Sequence, residues 1–261
     1  MARGLLSTFI VRMSYVLLAV ATGCAFNPTE LGVQTDAQGS GSDQPVGSTP
    51  DAFVPTQLAA CHSQLEGVVL CLDFEDASLD PTVHDSSGQG HDGSTSDVTA
   101  MPRQSQQAAM VSPSSSIVIA ASASFDLSSA LTIELWFDPA QTQEDNTIVE
   151  HGNDFGVDFD RSTGCYAGDE EVWAPENLAP GWHHIACTYD GHTIVAYVDG
   201  AIVACTNADP NSVESRPIEL ADRVAGGIDD VHLYNRPLAP PEIQLLAGTV
   251  SPDVSCPSGG G

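Results

Sequence analysis

The chain has 261 residues, with 7 basic against 35 acidic side chains and a formal net charge of −28; all seven basic residues are arginine. A surface this acidic repels phosphate backbones and anionic headgroups, which excludes nucleic acid and basic-patch docking on lipid. Hydrophobic residues make up 42% of the chain, enough for one sizeable core but not for a bundle of membrane spans.

Residues 1–23 carry Arg3 and Arg12, no acid, and an apolar run at Val16–Val20. A charged start, a short apolar run and small residues before a cut predict a signal peptide. The run is too short for a span of about 20 apolar residues. The ending Ala21-Thr22-Gly23-Cys24 resembles a bacterial lipobox, whose cysteine becomes the lipidated first residue of the mature chain. Ala21 departs from the leucine usual there; ordinary secretion and a plain structural cysteine are the alternatives. Residues 24–60 are rich in Gly, Ser, Asp, Pro and Thr, with neither apolar period. They cannot bury enough surface to offset their ordering entropy and read as a flexible, lipid-anchored linker. The folded domain is expected over 61–249, and residues 250–261 read as a disordered tail.

With Cys24 set aside, six cysteines remain, an even number that suits disulfides in an exported chain and permits 15 connectivities. Cys187 falls in a predicted strand, His183–Tyr189, and Cys205 in another, Ala201–Thr206, with Thr193–Val198 between them. A meander puts Cys187 and Cys205 two strand spacings apart, about 9.6 Å, beyond the roughly 7 Å Cα limit of a bridge. The preferred pairs are therefore Cys165–Cys187, Cys61–Cys71 and, by elimination, Cys205–Cys256. No C-x-x-C pair argues for a metal instead.

The body alternates with period two. Val68, Leu70, Leu72 and Phe74 share one face; Leu131, Ile133, Leu135 and Phe137 share another, with Thr132, Glu134 and Trp136 opposite. Short alternating strands between turn residues predict an all-β sandwich. Asp199-Gly200 predicts a tight hairpin, because a type I′ turn needs positive φ twice; Asp190-Gly191 marks a turn upstream. One short helix is expected over 240–246, with Pro240 and Pro241 tolerated in its first turn.

The runs Gly-Trp-His-His-Ile-Ala-Cys-Thr-Tyr-Asp-Gly (181–191), Ala-Tyr-Val-Asp-Gly (196–200) and Ile-Asp-Asp-Val-His-Leu-Tyr-Asn-Arg-Pro-Leu (228–238) together resemble the laminin-G-like jelly roll of the concanavalin A-like superfamily. Leu-Asp-Phe-Glu-Asp (72–76), Asp-Ser-Ser-Gly-Gln-Gly-His-Asp-Gly (85–93) and the strand 131–139 agree in order and spacing. The resemblance covers roughly Gly67–Gly248. It implies a two-sheet antiparallel jelly-roll sandwich, in agreement with the alternation.

His183 and His184 are adjacent, so on a strand they face opposite sides and form no two-His metal face. Hydrolases of this superfamily carry Glu-x-Asp-x-(x)-Glu on one strand face. Neither Asp73–Asp76 nor Asp154–Asp160 shows that pattern, so no catalytic residues are assigned. The resemblance implies a structural calcium ion, with Glu75, Asp85 and Asp229 as ligands and Asp73 or Asp92 as substitutes. Calcium takes six to eight oxygens, and Asp229 is expected on the face of Val231 and Leu233, where an unpaired carboxylate is costly. The resemblance implies ligand recognition as the task of the fold, and sugar binding needs aromatic platforms. Trp136, Trp173, Trp182, Tyr166 and Tyr197 are candidates; Trp173 is favoured as the exposed ligand-binding residue, and Trp136 and Trp182 read as core.

The expected protein is a non-catalytic module binding a glycan or an extracellular protein, lipid-anchored on the bacterial outer membrane or cell surface, or else secreted. The alternatives are a degenerate hydrolase and a structural envelope protein without a specific ligand. Metabolic labelling with a fatty-acid analogue checks the anchor: wild-type protein takes up label and Cys24→Ser takes up none.

Overall fold

The structure is a computed structural model and describes residues 65–140, 146–209, 214–250 and 255–256. The expected signal peptide and linker, with Cys24 and Cys61, lie outside the described residues, as does most of the tail.

The strands run in chain order as β1 (Val68–Leu72), β2 (Thr82–Val83), β3 (Gly93–Ser96), β4 (Thr99–Arg103), β5 (Gln106–Val111), β6 (Ser116–Ile119) and β7 (Leu131–Pro139). They continue as β8 (Asn146–Glu150), β9 (Phe155–Asp160), β10 (Ser162–Ala167), β11 (Glu170–Trp173) and β12 (His183–Tyr189). Last come β13 (Thr193–Val198), β14 (Ala201–Asn207), β15 (Ile218–Asp222), β16 (Gly226–Tyr234) and the helix α1 (Pro240–Leu246).

Among the described residues these strands form two eight-stranded sheets. The first runs β14-β13-β12-β7-β16-β5-β4, with β1 also on β16; the second runs β11-β10-β9-β8-β15-β6-β3-β2. Every pairing between named strands is antiparallel. This is the expected jelly-roll sandwich. Its core lies between the sheets, where Leu131, Ile133, Leu135 and Phe137 of β7 meet Phe155, Val157 and Phe159 of β9. Burying such side chains contributes roughly 1.5–3 kcal/mol each.

Local chemistry explains the connections. Asp199 and Gly200 both have positive φ, 50° and 77°, as the β13–β14 hairpin requires. Upstream, Asp190 Oδ1 accepts the N–H groups of His192 and Thr193 at 2.9 and 2.8 Å, which folds the β12–β13 turn. Helix α1 starts on two prolines, and the Glu242 carboxylate accepts the Ala239 N–H at 2.7 Å. Its Ile243 packs with Ala186, Tyr197, Tyr234 and Leu238 in a second apolar cluster. Tyr197 and Tyr234 belong to first-sheet strands, so α1 covers part of that sheet's outer face.

One expectation fails on strand geometry. Simple alternation puts Asp229 on the face of Val231 and Leu233. Instead Asp229 pairs with Trp136, His232 pairs with Glu134, and the register shifts between them. Asp230 is the extra residue of this bulge and has φ 47°. A bulge reverses the facing of everything before it, so Asp229 lies on the outer face.

Cys165 on β10 is bonded to Cys187 on β12, with 5.7 Å between their Cα atoms. The bond joins the two sheets through the core at a point well inside the usual spacing of about 10 Å. Cys205 on β14 is bonded to Cys256, Cα to Cα 5.9 Å. Cys71 is disulfide-bonded, and its expected partner Cys61 lies outside the described residues. The meander β12-β13-β14 keeps Cys187 and Cys205 on strands separated by β13. The 22-residue separation of Cys165 and Cys187 corresponds to about 3 kcal/mol of loop-closure stabilisation. Denaturant unfolding of Cys165→Ala/Cys187→Ala should show a loss of that size, and a non-reduced peptide map of the wild type should show no Cys187–Cys205 peptide.

Candidate functional site

The outer face of the second sheet carries two lateral rows of side chains, because residues paired across antiparallel strands point the same way. One row reads Trp173, Gly164, Asp158, Thr147, Asp222 across β11, β10, β9, β8 and β15. The next reads Glu171, Tyr166, Gly156, Glu150, Glu219. The glycines let aromatic rings lie down on the sheet. A Cβ on Gly164 would stand 2.9 Å from the Trp173 indole, and one on Gly156 would stand 2.5 Å from the Tyr166 phenol oxygen. Trp173 therefore lies over Gly164 and Tyr166 over Gly156, and no larger residue fits beneath either ring.

Beside these rings is a cleft of about 410 Å³, lined by Thr147, Glu150, Asp158, Tyr166, Asp169, Glu170 and Glu171 together with Gly152, Asn153 and Gly168. No basic side chain lines it. Arginines near this face already have acidic partners: Arg216 on Glu214 at 2.6 Å and Arg223 on Asp222 at 3.2 Å. Burial pushes Glu150 above the usual carboxylate range, and the charges of Glu219, Asp222 and Asp158 add to it. Burial also raises Asp158, against the hydroxyl of Thr147, which donates to it at 2.8 Å. The Tyr166 phenol is raised by burial and by Asp158, Glu150 and Asp154; it donates to the Gly152 carbonyl at 2.8 Å. The cleft thus offers carboxylate acceptors beside flat aromatic rings, the equipment that recognises a polyhydroxylated ligand.

The first sheet's outer face is closed by a buried ionic network. Glu134 of β7 is 1% exposed, and His184 of β12 and His232 of β16 flank it. His184 Nε2 lies 2.9 Å from Glu134 Oε2, and His232 Nδ1 meets Glu134 Oε1. Burial pulls the Glu134 carboxyl up, but the charge of His232 and the hydrogen bonds of both imidazoles overcome it and hold it at about 2. Burial pulls His232 down, and Glu134 with Asp230 overcomes that, so its pKa is raised. Next to this network Arg103 Nη1 contacts Asp229 Oδ2 at 2.6 Å and Asp230 Oδ2 at 2.9 Å. Its guanidinium lies 4.4 Å from the Trp136 ring centre and 5.0 Å from that of Trp182. Burial raises both aspartates against the pull of Arg103; the charge of Asp230 adds to the rise at Asp229, and that of Glu134 to the rise at Asp230.

Of the residues singled out in the sequence, Trp173 and Tyr166 meet on one face. Tyr197 is 3% exposed and is no platform. Trp136 and Trp182, read as core, are half-buried beside Arg103 instead. The three expected calcium ligands each have protein partners. Glu75 Oε1 accepts the Gln107 N–H at 2.9 Å. Asp85 accepts from Cys71 N, Ser87 N, Ser87 Oγ and His91 N at 2.7–3.0 Å. Asp229 holds Arg103. Asp158 sits in a stretch whose spacing fits no hydrolase pattern, and only the pairing of β8 with β9 sets it beside Glu150. Arg103 gave no signal in sequence, because its partners are 126 and 127 residues away.

Residues 112–244 match the model of the Laminin_G_3 family, described as the concanavalin A-like lectin/glucanases superfamily. A search of curated proteins found no match. Among solved structures, the chain is similar to domain 4 of AbnA, a GH43 extracellular arabinanase from Geobacillus stearothermophilus, in complex with arabinotriose. The TM-score is 0.57 at 18% identity, covering 69% of this chain and 98% of that one. It is similar also to the binding domain of Paraclostridial Mosquitocidal Protein 1, with TM-score 0.58, 15% identity and coverage of 69% and 52%. A third is botulinum neurotoxin type C, whose cell entry is described as dependent on interaction with two ganglioside molecules. Here the TM-score is 0.54 at 12% identity, with coverage of 70% and 51%. The chain spans about half the length of the two toxin chains, and at these identities the likeness is one of fold.

The network around Glu134 makes stability depend on pH in a definite sense. Glu134, lowered from 4.5 to about 2, contributes stability above pH 4.5 that is lost as pH falls towards 2. His232, raised from 6.5, contributes stability below pH 6.5 that is lost as pH rises through its folded pKa. Thermal melts across pH should therefore show this network's contribution greatest between 4.5 and 6.5, and Glu134→Gln should flatten both limbs while lowering the maximum.

Proposed function

Because the chain belongs to the Laminin_G_3 family of the concanavalin A-like lectin/glucanase superfamily, we propose that it is a non-catalytic binding module that takes a glycan on the outer face of its second sheet. The observation that carries this reading is the pair of rings, Trp173 and Tyr166, lying over Gly164 and Gly156 beside the cleft. Sugar rings stack their apolar faces on such platforms, and their hydroxyls donate to carboxylates at the edge. The arabinotriose-bearing arabinanase domain supports the class of ligand. The charge of the cleft narrows it further. Five acidic side chains line the cleft and no basic one does, so sugars bearing carboxylate or sulfate are repelled. Neutral or amine-bearing oligosaccharides remain.

Export and anchoring through Cys24 belong to the same proposal. The disulfides Cys165–Cys187 and Cys205–Cys256 suit an oxidising compartment, and a tether over residues 24–60 would hold the module away from the membrane.

A glycan array, followed by calorimetry on the strongest hit, tests the reading. Neutral or amine-bearing oligosaccharides should bind and sialylated ones should not. Trp173→Ala should weaken binding by at least about 2 kcal/mol, roughly thirtyfold, with the melting temperature little changed. The bound oligosaccharide should be recovered uncleaved; cleavage would instead favour a hydrolase. An array without hits would favour a protein ligand or a purely structural role.

A further inference from the structure

A calcium ion at Glu75, Asp85 and Asp229 would tie the first strand, a loop and the last strand together, and the residues present do not fit it. Calcium needs six to eight oxygens. Both oxygens of Asp85 are taken by four protein donors, and Glu75 Oε1 is taken by Gln107. Asp229 Oδ1 accepts the Asp230 N–H at 2.9 Å, and its Oδ2 holds Arg103. A dication brought to Asp229 would face a guanidinium at the same oxygen, and like charges at that range repel strongly in a buried site. Among the described residues no group of three or more His, Cys, Asp or Glu side chains is placed to hold a metal.

We infer that Arg103 takes the place of the metal: its guanidinium neutralises the buried Asp229 and the partly buried Asp230 and clamps β4 to β16 across the intervening β5. Four observations carry this. Arg103 is 8% exposed and Asp229 1%, so neither charge is left to water. β4 and β16 are not hydrogen-bonded neighbours, since β5 lies between them, and the clamp is a contact that the backbone ladder does not supply. Consecutive strand residues ordinarily point to opposite faces, but the bulge at Asp230 brings two consecutive carboxylates to one cation. Trp136 and Trp182 enclose the guanidinium. A planar guanidinium can stack on rings while its N–H groups reach carboxylates; an ammonium cannot do both. The first sheet is then closed at β4 and β16 without calcium.

Thermal melts of the wild type in millimolar calcium and in excess chelator, both at high constant sodium chloride, should superimpose. Terbium added to the wild type should show no emission sensitised through Trp136 and Trp182. Arg103→Met leaves the buried Asp229 and the partly buried Asp230 without their cation and should lower the melting temperature by about 6–20 °C. Arg103→Lys should fall between the two, and the triple variant Arg103→Met/Asp229→Asn/Asp230→Asn should recover most of the loss. A calcium-dependent rise in the wild-type melting temperature that Asp229→Asn abolishes would overturn the inference, as would an Arg103→Met protein that melts like the wild type. If Arg103→Met does not fold, the lysine variant and the two metal measurements on the wild type decide. Loss of glycan binding with these results intact would count against the proposed function only.

Discussion

Glu134 is a carboxylate with almost no access to water, and it stays ionised because an imidazole reaches it from each neighbouring strand. A buried charge of this kind costs several kcal/mol unless it is paired and hydrogen-bonded. The pairing therefore sets the relative positions of β12, β7 and β16, the three central strands of the first sheet. A one-residue slip of either neighbour would move its imidazole to the opposite face and leave the buried Glu134 with one partner in place of two. The apolar core between the sheets tolerates many volume-conserving substitutions; this ionic arrangement tolerates few.

The bulge in β16 follows from the same constraint. His232 must oppose Glu134 while Ile228 opposes Phe137 in the core, and the strand has one residue too many for both. Asp230 absorbs the surplus in a left-handed conformation, which aspartate adopts more readily than most residues. The cost is two carboxylates side by side on a covered face. Arg103 offsets that cost, and Trp136 and Trp182 keep it dry.

The two outer faces consequently differ. On the first sheet, α1 and its apolar cluster cover one part, and the Glu134 and Arg103 networks occupy another. Its ionic side chains are paired with one another, and the polar atoms left over, His184 Nδ1, His232 Nε2 and Arg103 Nε, are buried. On the second sheet, the half-buried Tyr166 ring and five carboxylates line a cleft, Trp173 lies on the same face, and nearby arginines are paired outside it. Free hydrogen-bonding capacity beside flat apolar surface is what a ligand needs, so the binding reading falls on the second sheet.

The period-two strands, the Asp199-Gly200 hairpin, the short helix from Pro240 and the preference for Cys165–Cys187 were legible in the order of the residues, because each depends on residues close in the chain or on the reach of a covalent bond. The sequence also put forward Trp173 and Tyr166 as residue types, Trp173 as exposed; both are half-buried, because each ring lies down on a glycine of the neighbouring strand. Only the tertiary structure decided that these rings lie on glycines beside Glu150 and Asp158, because that depends on the pairing of four strands. It also decided that Asp229 faces outward onto Arg103 and not inward beside Val231. Alternation counts residues along one strand and cannot see a bulge, which arises when two neighbouring strands demand incompatible registers of the strand between them.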